Sequence, residues 1–218
     1  MLAAPEAGPP ARPGVGSDVS MVVAELSAAA DTSLRMALRQ ATLEAHERMH
    51  GHDGFAAVQG GSIPLAAYRS LLVRLYGFYV PFEAAAGGGR DRSAWLEDDL
   101  AALGLDRKSF TAPMCPRIPQ LDSTERRLGA RYVVEGSALG GRGLARGLDL
   151  LLGAGVTTGR RFFIGRGAGT AEAWTGYLAQ LSAASADRAT RASIIAAATE
   201  TFEVFEEWLA GWKDATRD

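Results

Sequence analysis

A single all-α domain is the fold that the sequence predicts, on three observations. Apolar residues recur every three or four positions over most of the chain, period-two alternation is nowhere sustained, and no proline follows Pro119. The first pattern is one face of a helix, the second removes the signature of a half-buried strand, and the third frees the C-terminal part from the strongest helix breaker. With 218 residues, 47% hydrophobic and 22% charged, the chain can bury one ordinary core.

Residues 1–31 hold Pro5, Pro9, Pro10 and Pro13 with few large apolar side chains, so they read as a disordered extension ahead of a helical domain over 32–218. The Val22–Val23 patch is broken by Glu25 and does not make a signal peptide, and Met21 is a second candidate start. From Ser33 to about Met49, the residues Leu34, Leu38, Ala41, Ala45 and Met49 line one face of a first helix, which Gly51 and Gly54 end. Ser62 followed by Pro64 reads as an N-cap with proline in the first turn, opening a strongly apolar helix to about Ala86. A third, shorter helix surrounds Trp95, Leu96 and Leu100. Pro113, Pro116 and Pro119 then make a non-helical segment.

Asp122 with Glu125 resembles a capping box for a fourth helix, continuing through Tyr132, Val133 and Leu139 toward Leu152. Two more follow, about Thr170 to Ala184 and about Asp187 to Trp212, the latter with Ile194, Ala198, Phe202, Phe205 and Leu209 on one side. The expectation is six to eight helices without internal repeats.

Charge narrows the function classes. The 23 basic and 25 acidic residues nearly cancel, which leaves no global field to hold a phosphate backbone or an anionic bilayer. Neither nucleic acid nor membrane is an expected partner, and the longest apolar runs fall short of the roughly 18 residues that span a bilayer. Cys115 is the only cysteine, so no intrachain disulfide or thiolate metal cage can form and a reducing cytoplasm is the natural compartment. Glycine is out of line: 26 residues, about 12% against a usual figure of about 7%. In a helix interior each costs about 1 kcal/mol relative to Ala.

Two stretches could carry chemistry. The three histidines, His46, His50 and His52, cluster at the end of the first helix. His46 and His50 are four apart and share a face, yet a multi-ligand metal site would need carboxylates such as Glu83, Glu135 or Glu203, and a di-iron bundle would need Glu-x-x-His pairs from two helices, whereas all three histidines lie on one stretch of chain. A lone helical histidine can be the single axial ligand that a porphyrin iron requires, or a surface histidine favoured by the helix C-terminus. In the fourth helix, Gly136 and Gly140 lie on one face with Gly141 beside them. No strand precedes them and no phosphate-loop spacing is met, so they either let a backbone approach a flat partner or pack closely on another helix. Arg142 and Arg146 could contact carboxylates or be solvated.

The segment Leu38-Arg39-Gln40-Ala41-Thr42-Leu43-Glu44-Ala45-His46 resembles the Leu-Arg-x-x-Thr-x-x-x-His segment of the heme oxygenase family. Tyr132 to Gly141 is similar to that family's glycine-rich distal helix, and Phe162-Phe163, Trp174 and Phe202-x-x-Phe205-x-x-Trp208-Leu209 resemble its C-terminal half. The likeness runs from about residue 34 to 212, and within the family it is with the bacterial, biliverdin-producing enzymes associated with bacteriophytochromes.

The resemblance implies heme as both cofactor and substrate, held between His46 as proximal iron ligand and a distal wall of Gly136, Ser137, Gly140 and Gly141. It implies ring opening by O2 to biliverdin, CO and ferrous iron, with electrons from a ferredoxin or flavodoxin and its reductase, or from ascorbate. A bacteriophytochrome is then an expected recipient of biliverdin. Arg39, two turns before His46, matches a basic position suited to a heme propionate, Arg160 and Arg161 are secondary candidates, and Phe205 lines the pocket or the core. The chain departs from the family at His50, where relatives often have an acid, at Ser137, where mammalian enzymes place an aspartate, and at Gly165-Arg166-Gly167 in place of a tyrosine-containing turn. The rival readings are a heme carrier or sensor of the same fold, and a non-heme metal or thiamin-type hydrolase, which would need a His/carboxylate cluster or a catalytic Cys115.

Overall fold

The structure, a computed structural model, describes residues 34–105, 111–184 and 187–214. The N-terminal extension read over residues 1–31 lies outside the described residues. Nine α-helices are present among those described, with no strand: α1 (34–50), α2 (Asp53–Gln59), α3 (Leu65–Ala86), α4 (Asp91–Ala102), α5 (Thr124–Gly147), α6 (Asp149–Leu152), α7 (Arg161–Ile164), α8 (Thr170–Ala184) and α9 (Arg188–Leu209). The count exceeds six to eight because α2, α6 and α7 are short. Glycines on either side hid α2 and α7, and α6 read as the end of the fourth helix, which breaks at Leu148.

Two caps differ from those read in the sequence. Ser62 does not cap α3, for Pro64 occupies the N-cap position, with no side-chain bond there. At α5 the cap is Ser123 rather than Asp122, its hydroxyl accepting from the Arg126 amide at 3.2 Å. Asp187 does cap α9, accepting from the amides of Ala189 and Thr190.

Helix α3 is buried on most of its circumference, with Tyr68, Leu71, Leu72, Leu75, Phe78, Tyr79 and Phe82 all in the core. Pro81 lies inside it and cannot donate to the carbonyl four residues back, that of Gly77. The Cys115 amide donates to the Gly77 carbonyl instead, at 2.9 Å. The approach is so close that a Cβ on Gly77 would fall 2.1 Å from the Pro113 oxygen. Thus the proline-rich segment seals the one backbone vacancy that Pro81 opens. Across the core, Arg74 and Trp208 exchange bonds to each other's carbonyls, 2.6 and 2.7 Å, with the guanidinium 3.3 Å from the indole centroid.

Helix α5 packs on α9, α8, α2 and α7 and is the central element. Three of its glycines are consumed at crossings. A Cβ on Gly129 would fall 2.1 Å from the Ile194 oxygen of α9, one on Gly141 2.4 Å from the Phe163 oxygen of α7, and one on Gly147 2.0 Å from the Val58 oxygen of α2. Among the described residues no helix is long and apolar enough to cross a membrane.

Fully buried Asp99 of α4 ties down α7, accepting from the amides of Arg161 at 2.6 Å and Phe162 at 2.8 Å. Burial pushes its carboxyl up to about 6, against the pull of those two amides. A raised carboxyl holds its proton more readily folded than unfolded, so its stabilising contribution is complete below about 3.9 and is lost as pH rises toward 6. Asp99→Asn is therefore expected to destabilise more at about pH 4 than at about pH 7, by roughly 2–3 kcal/mol. Urea unfolding at the two pH values measures this, and equal costs would contradict it.

Candidate functional site

A cavity of about 500 Å³ lies between α1 and α5, closed by side chains of α3, α7 and α9. That is within the range of small-molecule and cofactor sites. From α1 it receives Arg39, Thr42, His46 and His50, positions that share a helix face at spacings of three and four. The lining is mainly apolar and aromatic, with Phe78 and Tyr79 from α3, Phe162 near α7's start and Phe202 and Phe205 from α9.

The His46 ring stands edge-on to Phe202, centroids 6.4 Å apart, and 4.5 Å from the His50 ring at 72° between planes. Desolvation holds the His46 imidazolium pKa below its ordinary value, His50 and Arg39 adding to the shift while Glu47 opposes it. Such a ring is neutral near pH 7 and has a lone pair to offer a Lewis acid. His52 takes no part: its Nε2 faces the Leu209 carbonyl at 3.3 Å, and its ring packs with Phe55 and Trp212.

Across the cavity, the glycines of α5 divide into two sets. A Cβ on Gly140 or Gly143 would meet nothing within 4 Å, and one on Gly136 would meet only Trp174, at 3.8 Å. Gly141 is different, because its missing Cβ is accounted for by the Phe163 carbonyl. Gly141 also lines the cavity, so close packing on α7 is an added role for it. Ser137 donates to the Val134 carbonyl at 3.0 Å and lines the cavity beside Tyr79. Burial raises the Tyr79 pKa, with Arg92 opposing, so the phenol keeps its proton. Phe205 reaches the cavity while its ring meets Phe78 edge-on at 4.8 Å.

Arg39, exposed on α1, borders the cavity, whereas Arg160 and Arg161 do not. Arg160 is buried and donates to the carbonyls of Ala145, Leu148 and Gly153 and to Asp149, closing the C-terminal end of α5. Arg161 lies 4.8 Å over the Trp95 ring and donates to the Gly165 carbonyl. Neither guanidinium is available to a ligand in the cavity.

Sequence reasoning missed an ion-pair chain in the wall, buried at Arg92 and Glu135 and exposed at Arg166 and Asp91. Arg92, from α4, donates to the Val134 carbonyl at 3.1 Å and stands 3.4 Å from Glu135, which Arg166 also contacts at 3.0 Å while reaching Asp91 at 3.2 Å. Arg92 and Arg166 both line the cavity. Glu135 is thus committed to two arginines, and Glu83 accepts from the amides of Arg92 and Ser93 at the start of α4. Neither carboxylate is left for the metal cluster that the histidines would need, and no group of three His, Cys, Asp or Glu able to hold a metal occurs among the described residues. Cys115 is buried away from the cavity, its thiol pKa raised by burial, which leaves the hydrolase reading without a nucleophile.

The family model described as heme oxygenase matches residues 32–211. The chain belongs to the heme oxygenase family, whose general function is heme degradation with heme binding and use of oxygen. No curated protein matches it. The residues fit the group that membership implies. The cavity offers one neutral imidazole on α1, an open strip at Gly140 on the facing helix, an aromatic surround and a cation in Arg39.

Proposed function

We propose that the protein cleaves heme to biliverdin, CO and ferrous iron, with His46 as the axial ligand and α5 as the distal wall. The observation that carries this reading is the pairing of His46 with the open strip at Gly140 across one apolar cavity. Bound heme would supply the redox-active iron and be itself the substrate, with electrons from a ferredoxin or flavodoxin and its reductase, or from ascorbate.

The chain's own residues have three tasks. His46, its imidazolium disfavoured by partial desolvation, would hold the iron. Gly136 and Gly140 present backbone rather than side chains to the cavity, which would leave room for a small ligand beside bound heme and make selectivity a matter of space. Ser137 and Tyr79 both line the cavity, the serine as a hydroxyl acceptor whose proton goes to the Val134 carbonyl and the tyrosine as a protonated phenol, so polar contacts are offered there without a carboxylate. Arg39, which lines the cavity from α1, would pair with a heme propionate.

Titration of the purified protein with hemin, followed by ascorbate or ferredoxin with its reductase under O2, tests the reading. Loss of the Soret band with growth of red biliverdin absorption is expected, and a stable heme spectrum would instead mark a carrier or sensor. His46→Ala should abolish the native ferric spectrum, with recovery on added imidazole. The same loss in His50→Ala alone would overturn the ligand assignment.

A further inference from the structure

We propose that His46 and His50 together form a bidentate site for a divalent first-row transition cation, open when the cavity holds no heme. The chelate needs only these two imidazoles. That the ion meeting it in turnover is the ferrous iron left by ring cleavage rests on the heme-degrading reading above.

Geometry carries the proposal. Two imidazole nitrogens at about 2.0–2.1 Å from one cation, each ring pointing at the metal, put the ring centroids about 4.5 Å apart for a right angle at the metal and about 5.2 Å for a tetrahedral one. The observed separation is 4.5 Å at 72° between planes, which matches the centroid spacing of a cis chelate, and rotation of the exposed rings about their side-chain torsions would aim a nitrogen of each at a shared cation. The spacing has a backbone cause, since residues four apart on a helix stand one above the other. Both rings line the cavity and both residues are exposed, so water can complete the coordination shell.

The surroundings suit a cation. His50 is the last residue of α1, and the carbonyl end of a helix carries partial negative charge. His52 is engaged elsewhere, as are Glu135 and Glu83. The site is therefore a two-ligand one, weak enough to release its ion, and shares His46 with the proposed axial bond. Heme and the free cation then exclude each other at that nitrogen, and His50 would hold the ion only once the ring is gone.

Calorimetric titration of heme-free, chelator-treated protein with Zn²⁺, and anaerobically with Fe²⁺, tests this. One cation per chain is expected, with a micromolar to sub-millimolar Kd and Fe²⁺ weaker than Zn²⁺. His46→Ala and His50→Ala should each raise Kd about tenfold or more, since either change removes the chelate. Circular dichroism checks that the variants fold, and His50→Gln gives a second variant. Absence of saturable Zn²⁺ binding, or binding unchanged in both His50 variants, overturns the site. Saturable Zn²⁺ without Fe²⁺ binding overturns the role for released iron. Competition separates this inference from the function reading. Zn²⁺ should weaken hemin binding to the wild type but not to His50→Ala. Undiminished hemin affinity alongside a His-dependent Zn²⁺ site would sink His46 as axial ligand and leave the cation site standing.

Discussion

Gly140→Leu is expected to reduce heme turnover by about 100-fold or more, or to change the biliverdin isomer, in a protein that folds at least as well as the wild type. The position is exposed and helical, and nothing lies within 4 Å of an added Cβ. Leucine there relieves the helix of a glycine, worth about 1 kcal/mol. Its side chain nevertheless enters the space between α5 and α1 where the proposed function places a small ligand, and a displacement of about 1 Å near reacting atoms can cost about 100-fold. Gly141→Ala offers the converse, with the added Cβ directed at the Phe163 carbonyl and so acting on the α5–α7 contact. Single-turnover absorption with ascorbate, product chromatography and urea unfolding of both variants measure the contrast. Unchanged rate and product in Gly140→Leu would remove α5 from the distal side.

The long helices were legible because burial imposes a 3.6-residue period on residues such as Leu34 and Leu38, or Ile194 and Ala198, wherever the partner lies. His46 was legible for the same reason, since its place on α1 relative to Thr42 and Arg39 is a property of one helix. The division of the glycines was not. Gly136, Gly140 and Gly141 stand on neighbouring strips of one helix, and only the Phe163 carbonyl, reached after a further turn of chain, decides that Gly141 packs while Gly140 faces open space. The ion pairs of Glu135 with Arg92 and Arg166 were hidden because they join residues 43 and 31 apart in sequence. Arg160 misled for a related reason. Its position beside Arg161 suggested a cationic pair, but the α5 carbonyls freed near Leu148 need a donor, and Arg160 supplies it from within the core. The cap at Ser123 is the mildest case, one residue from an equally suitable Asp122.

Gly129→Ala should cost about 1–3 kcal/mol, the range of an overpacked core, even though alanine is the better helix former by about 1 kcal/mol. The added Cβ would lie 2.1 Å from the Ile194 oxygen and 2.9 Å from the Ala197 Cβ, and neither a backbone carbonyl nor a Cβ can swing aside. Helices α5 and α9 must then part, loosening contacts along α9 around Ile194 and Ala198, both fully buried. Gly143→Ala is the matched control on the same helix, with nothing within 4 Å of its Cβ, and should be neutral or stabilising by up to about 1 kcal/mol. For a chain of this size each kcal/mol moves the melting temperature by about 2–4 °C, so thermal unfolding separates opposite shifts readily. If both variants shift alike, the glycine excess is a compositional habit. If they diverge, glycine is required at the crossing where Gly129 admits α9 and is not required by packing at Gly143, so the glycines of α5 do not share one structural cause.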